Sequence, residues 1–382
     1  MGKKKILYFM PDNPLSGKAG NLTRAKEMLD FFERNHQTIE VDFFSVKDWG
    51  VWNEKTIKNF HIKYPHIKLH LHNRKIPVEQ PVRRILGYKI PNFFHKLIRG
   101  NSIDISGFML KTEMQNLINK NKYDIAVISY AVWGSLIENL THQPYLINDT
   151  HDFITAQSRH KKNKIGQLFQ SEIGILNQFD EIWTYSVEEE YIFEQFTDKK
   201  VTLIPVSFPL NFNTGISEFK YDIIYVASEN PHNIAGISWF LKEVLPFLKD
   251  KKVHIIGKIC NAIGDYKNVV KYGMVDDLDD FYSHSKVAIC PMLSGTGIKI
   301  KVIEALSYGI PVVTNRRGVD GLVNKKENGC LVSDDPKRFA DDITRLVEDE
   351  TFYQKTRSEG ISYFKNNHDP KLEAEIMNRT FL

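Results

Sequence analysis

Short β-branched, apolar runs punctuate the chain, and between them apolar residues recur at helical spacing. The first series is Ile6–Met10, Ile39–Val46, Ile125–Ser129, Tyr145–Asn148, Glu181–Tyr185 and Val201–Ile204. The second is Asp222–Ala227, Val253–Gly257, Val269–Tyr272, Val287–Pro291, Pro311–Thr314 and Cys330–Val332. This alternation predicts parallel sheets covered by helices on both faces. The predicted fold class is α/β: two doubly wound, Rossmann-like domains facing a cleft, with ligands at the carboxyl ends of the strands. Pro205–Gly215 carries two prolines and no helical period, so it reads as a linker. The predicted organisation is 1–208, then 209–365, then a helical tail 366–382 that can pack back on the first domain.

The richest segment runs from Pro291 to Val313. After a predicted strand it turns through Gly295 and Gly297 into an apolar stripe of Ile298, Val302, Ala305 and Leu306, stopped by Gly309 and Pro311. The spacing predicts a helix over about Ile298–Tyr308. Lys299 and Lys301 then stand at the positive end of that helix, where acidic residues are favoured, and an anion would remove the conflict. Two glycines allow backbone N–H groups to approach it closely, so the segment reads as a phosphate cradle and a diphosphate is the natural ligand. Glu304 lies seven residues after Gly297, about two turns on, placed to accept bonds from ribose hydroxyls. The alternative is a solvated Glu304 paired with Lys301 at i, i+3.

Composition narrows the classes. The 382 residues allow two or three domains, and 51 Lys+Arg against 47 Asp+Glu leave a formal charge of +4, too slight to signal a nucleic-acid partner. The start Ile6–Met10 is cut short by Pro11 and Asp12, and the longest nearly apolar run, Ile125–Ile137, falls short of the roughly 20 residues of a membrane span. The expectation is therefore neither secretion nor a membrane-spanning segment. Cys260, Cys290 and Cys330 are an odd, widely spaced set that suggests neither disulfides nor a zinc knuckle, and a cytoplasmic protein is expected.

From Asp222 to about Val332 the chain resembles the carboxyl-terminal half of the retaining glycosyltransferases of the group 1 type, family 4, which have the GT-B fold. The likeness is carried by Tyr225-Val-Ala-Ser-Glu-Asn-Pro-His-Asn233, by His254-Ile-Ile-Gly-Lys258, by Tyr272-Gly-Met-Val275-Asp276-Asp-Leu278 and by Asn315–Leu322 with Asn328-Gly329. Weaker likeness covers Leu146-Ile-Asn-Asp149-Thr-His151-Asp152 and Trp183-Thr-Tyr-Ser186-Val-Glu188. The resemblance implies catalytic roles for His151 and Asp149. It implies nucleotide-sugar contacts at Gly17, Ser228, Asn233, Val275, Gly295, Thr296, Gly297, Ile298, Lys299 and Glu304, without a metal or other cofactor. Two positions depart from the family pattern. Thr296 stands where a sugar-contacting Glu is common, and Ser228 and Asn233 stand near the places of a diphosphate-binding Arg and Lys, for which Lys299 is the candidate substitute.

Other features carry weaker chemistry. The loop Pro14–Asn21, including Gly17, joins a strand to a helix in the manner of a phosphate or acceptor loop, though glycine there also serves plain geometry. His61, His66, His70 and His72 cluster without an Asp, Glu or Cys close in sequence, a poor metal set. Asp277 and Asp279 suit a helix start better than a cation. Pro81–Gly100 holds Arg83, Arg84, Lys89, Lys96 and Arg99 among large apolar residues with no acidic one, the composition of a surface that lies on an anionic membrane; the alternative is an ordinary helix pair with cationic outer faces.

The functional reading is transfer of a hexose from a nucleotide-diphosphate sugar to a glycan or lipid-linked saccharide, with retained configuration implied by the resemblance. The competing readings are a nucleotide-sugar epimerase of the same fold and a catalytically silent, nucleotide-binding partner subunit, the latter suggested by Thr296.

Overall fold

A computed structural model describes residues 2–17, 20–76, 78–99, 103–158, 164–212 and 218–382, with the backbone alone for 95, 96, 98 and 99. The chain divides into two units, each built on one sheet.

The first unit comprises Met1–Thr184, Glu189–Leu203 and Met377–Leu382. Its strands are β1 (Lys4–Phe9), β2 (Ile39–Val46), β3 (Ile67–His72), β4 (Ile125–Ser129), β5 (Tyr145–Asp149), β6 (Glu181–Thr184) and β7 (Lys200–Leu203), in the order β3-β2-β1-β4-β5-β6-β7. Every pair is parallel; β1 sits between β2 and β4, with Ile6 opposite Val41 on one side and Ile125 on the other. Both faces of β1 are closed, so Ile6, Leu7, Tyr8 and Phe9 are wholly buried, as a continuous apolar run requires. The order reverses between β1 and β4, and the loops after β1, β4 and β5 open at that switch point.

The second unit comprises Tyr185–Glu188 and Ile204–Ile376. Its strands are β8 (Tyr221–Val226), β9 (Val253–Ile256), β10 (Val269–Gly273), β11 (Ser285–Cys290), β12 (Val312–Thr314) and β13 (Cys330–Val332), in the order β10-β9-β8-β11-β12-β13, again all parallel. Its switch point falls between β8 and β11. One core of Ile223, Tyr225, Ile255, Val287 and Phe339 fills one face, and another of Ile224, Ile256, Val302, Ile303 and Phe364 fills the other.

Twelve predicted runs are strands within one or two residues of their predicted ends, and β3 is an addition. Its Ile-Lys-Leu-His-Leu-His alternation is the period-2 signature of a sheet edge, which a search for continuous apolar runs passes over. The division between the units falls at Ile204, four residues before the expected 208. The tail also divides: 366–376 stay with the second unit, whereas Met377–Leu382 belong to the first, where Phe381 packs edge-on to Phe32 and Trp183.

Candidate functional site

In the first unit the polar residues at the switch point are buried. β5 ends at Asp149, fully buried, and His151 follows in a left-handed conformation (φ 55°) that turns its imidazole back toward the sheet. Its Nε2 lies 3.5 Å from Asp149 Oδ2, and its ring packs on Tyr130 at 4.5 Å between centroids. Tyr130 is also left-handed (φ 64°) and is fixed by its N–H donating to the Asp149 carbonyl at 2.7 Å. Two strained residues held by one strand end mark a place where geometry outweighs backbone comfort. Burial pushes the His151 imidazole below its usual range, with Asp149 partly offsetting, so the neutral ring prevails at pH 7. Burial also raises the Asp152 carboxyl to about 6. A neutral imidazole and a carboxyl brought within reach of neutral pH are the ingredients of proton transfer.

Gly17 is exposed, and residues 18–19 of its loop lie outside the described residues. Sequence reasoning missed Asn13, three residues past the end of the predicted β1 run. It is fully buried, its Oδ1 accepts from Leu15 N at 2.9 Å, and its Nδ2 has no acceptor among the described residues.

In the second unit, the loop from Pro291 leads from β11 into a helix at Ile300–Ser307. The helix starts two residues later than predicted. Ile298 and Lys299 stay outside the helix, and Gly321, with φ 90°, packs there so closely that a Cβ on it would lie 2.7 Å from the Ile298 Cα. Gly295 (φ 106°) and Gly297 (φ 68°) take left-handed backbone, as the turn requires. Lys299 is therefore the residue preceding the helix. Its buried ammonium folds back to donate to the Gly297 carbonyl at 2.6 Å and the Thr296 carbonyl at 3.3 Å. Thr296 itself is exposed and Ile298 half-buried.

Lys301, which the sequence reading used only as a neighbour, reaches further. Its Nζ donates to Asn233 Oδ1 at 2.5 Å and sits 5.2 Å from the centroid of Tyr225 on β8. Asn233 is buried, and its Nδ2 donates to the Ser228 carbonyl at 2.8 Å, so Ser228, Asn233 and Lys301 form one chain of contacts from β8 to the Ile300 helix. Burial lowers the pKa of both lysines, and among the described residues neither forms an ion pair. Two desolvated cations near one glycine loop leave local positive charge that an anion would balance.

Glu304 does not pair with Lys301. Its Oε2 accepts from Tyr282 OH at 3.0 Å, and burial, followed by Asp279, raises its carboxyl. Tyr282 stacks on Tyr308 at 5.0 Å. Val275, half-buried beyond β10, packs against the same core as Ile303. His232 was also missed: its Nδ1 lies 2.7 Å from Ser294 Oγ at the mouth of the glycine loop. The nearby helix Pro231–Trp239 is pressed on the root of that loop, since a Cβ on Gly236 would fall 1.7 Å from the Pro291 carbonyl oxygen. The signal for Lys301, Asn233 and His232 is tertiary, because three strands separate in sequence the segments that meet.

The histidine cluster is rearranged by the fold. His70 bonds Asp42 at 3.0 Å, His72 lies 3.7 Å from Glu113, and His66 meets Glu33 at 2.5 Å while stacking on His36. Carboxylates that are remote in sequence thus reach each of these rings. Glu33, His36 and His66 bring donor atoms within 4.8 Å of one another, but before β2 and β3 begin, at the opposite end of the sheet from His151. Asp277 caps the Asp279 N–H and Asp279 accepts from Tyr308 OH, which favours the helix-start reading over a cation.

Two all-parallel sheets define a two-unit α/β protein whose second unit carries a glycine loop flanked by two desolvated lysines. Residues 220–349 match the glycosyl transferases group 1 family. Over 178 residues the chain is 24% identical to an uncharacterized 44.6 kDa protein in the cps region of Klebsiella pneumoniae, covering 40% of this chain and 46% of that relative's length. Among solved structures it is similar to sucrose-phosphate synthase of Thermosynechococcus elongatus (TM-score 0.69, 15% identity, 99% of this chain and 98% of that one). It is also similar to Anabaena HepE in complex with UDP and glucose (0.67, 12%, 99% of each) and to a mutant of S. aureus TarM in complex with fondaparinux, alpha-GlcNAc-glycerol and UDP (0.65, 13%, 99% of each). The fold is that of the GT-B glycosyltransferases.

Proposed function

We propose that this protein transfers a hexose from a nucleotide-diphosphate sugar to a glycan or lipid-linked saccharide, with retention of the anomeric configuration. The observation that carries the reading is the pair of desolvated ammonium groups, Lys299 and Lys301, which form no ion pair among the described residues and stand beside the Gly295–Gly297 turn inside the family-matched region. Lys299 organises the turn by holding its carbonyls, which leaves the loop N–H groups for phosphate oxygens. Lys301, positioned by Asn233, supplies the positive charge that stabilises the diphosphate as it leaves. Glu304 accepts from the ribose, and Val275 with the loop beyond β10 lies against the base. In the first unit His151, neutral and aimed by Asp149, bonds a sugar hydroxyl or stabilises charge developing at the reacting carbon. Relatives of this fold in complex with UDP and sugar make a uridine diphosphate sugar the first donor to try.

The test is incubation with a panel of nucleotide sugars, measuring free nucleoside diphosphate with and without saccharide acceptors. Acceptor-dependent release is expected. Conversion of one nucleotide sugar into another without release would establish epimerisation instead, and binding without either reaction would establish the silent subunit.

A further inference from the structure

The stretch 81–99 is helical throughout: Pro81–Arg84, a π turn at Ile85–Lys89, then Ile90–Arg99. In a helix packed on a core the large apolar side chains face inward. Here the arrangement is reversed. Val82, Ile85, Leu86, Ile90, Phe93, Phe94 and Leu97 expose between 43% and 68% of their surface. The half-buried positions are Arg84, Gly87, Tyr88, Pro91 and Asn92. The inward side is tied by polar contacts, since Asn92 Oδ1 accepts from Phe108 N at 2.9 Å and its Nδ2 donates to the Tyr88 carbonyl at 2.8 Å. Val82, Leu86, Ile90, Phe94 and Leu97 follow one another at three- and four-residue steps along one stripe. The π turn, with its extra residue, keeps the two halves of that stripe in phase. Among the described residues the exposed face is thus largely apolar, with Arg83 and Lys89 exposed beside it.

We infer that this stripe docks on an anionic lipid surface, lying in the plane of the interface with its apolar side chains among the acyl chains. Charge selects this occupant. From Gln80 to Ile103 the sequence has five Lys and Arg residues and no Asp or Glu, and Arg83 and Lys89 are exposed beside the stripe. A second copy of the chain seated on the same face would set like charges against each other, whereas phosphate headgroups complement them. A protein partner would have to bring its own acidic rim.

The experiment uses the full chain and vesicles of phosphatidylcholine alone or mixed with phosphatidylglycerol, read by co-sedimentation at low and high salt, alongside analytical ultracentrifugation without lipid. Binding to the mixed vesicles, weakened by salt, is expected. The double variant Phe93→Glu with Leu97→Glu should bind about tenfold or more weakly with an unchanged Tm, because both positions are exposed. The proposal is overturned if the parent binds neither vesicle, binds both equally, or is matched by the variant. It is also overturned if the parent is a dimer that the variant dissolves while lipid binding is absent. None of these readouts depends on sugar transfer, so the outcome is separate from that of the proposed activity.

Discussion

The ammonium of Lys301 is held 2.5 Å from the Asn233 side-chain oxygen, joining a helix that follows β11 to the loop that follows β8. Because Asn233 is neutral, the contact positions the cation without discharging it. A bound diphosphate would complete the pairing. We expect Lys301→Met to weaken nucleoside diphosphate binding by about 1.5–3 kcal/mol, roughly ten- to 150-fold, the size of a charged hydrogen bond. Calorimetric titration with UDP and other nucleoside diphosphates checks this. Equal affinity in parent and variant would remove Lys301 from the site.

Lys299 plays the opposite part. Dipole reasoning on a helix beginning at Ile298 makes its removal neutral or slightly stabilising without ligand. The structure reverses that sign, since Lys299 holds the Gly297 and Thr296 carbonyls. Lys299→Met should therefore lower the stability of the unliganded protein by about 1–2 kcal/mol, the net worth of hydrogen bonds to a charged group that water can partly replace. Denaturant melts without nucleotide decide between the two signs.

His151→Ala should depress turnover by about 100-fold, the usual scale of general acid–base assistance, with nucleoside diphosphate affinity unchanged. The lysines proposed to hold the diphosphate, Lys299 and Lys301, belong to the second unit, and His151 to the first. Kinetics paired with direct binding measurements separate the two effects, and a parallel fall in both would end the assignment.

Acid sensitivity should be concentrated at His368. It is buried, its Nδ1–H donates to the Val206 carbonyl at 2.8 Å, and burial pushes its imidazole from 6.5 to about 4. A histidine with a depressed folded pKa takes up its proton more readily when unfolded. Its contribution is thus intact above the unfolded value and lost as pH falls from about 6.5 toward 4. Between pH 7 and pH 5 the loss is about 2 kcal/mol. His368→Gln should flatten the dependence of unfolding free energy on pH in that interval, and an unchanged slope would refute the assignment.

The two sheets were legible because a strand buried on both faces must be apolar throughout, and Ile6–Phe9 or Val287–Cys290 can be little else. The edge strand Ile67–His72 was not, since exposure of one side lets Lys68, His70 and His72 interrupt the pattern. The glycine loop was legible from Gly295 and Gly297, whose positive φ only a few residue types accept. What Lys299 and Lys301 do there was not. Which of two lysines two positions apart turns back onto its own loop depends on where the helix starts, and the residues just before that start pack on Gly321, more than twenty residues away. Asn233 and His232 acquire their partners only when β8 and β11 lie side by side.

The second unit is not a continuous length of chain, and this bears on how it can be moved between proteins. Tyr185–Glu188 belong to it, and the Glu188 carboxylate accepts from the Gly321 N–H at 2.8 Å and from Lys325. Gly321 is the residue packed on Ile298, just before the Ile300 helix begins. A fragment cut cleanly at Ile204 would leave that N–H without its acceptor, and a chimera that borrows only 204–376 would carry the glycine loop but not the clamp behind it. A transplant of donor specificity must take four residues from before β7 along with the rest.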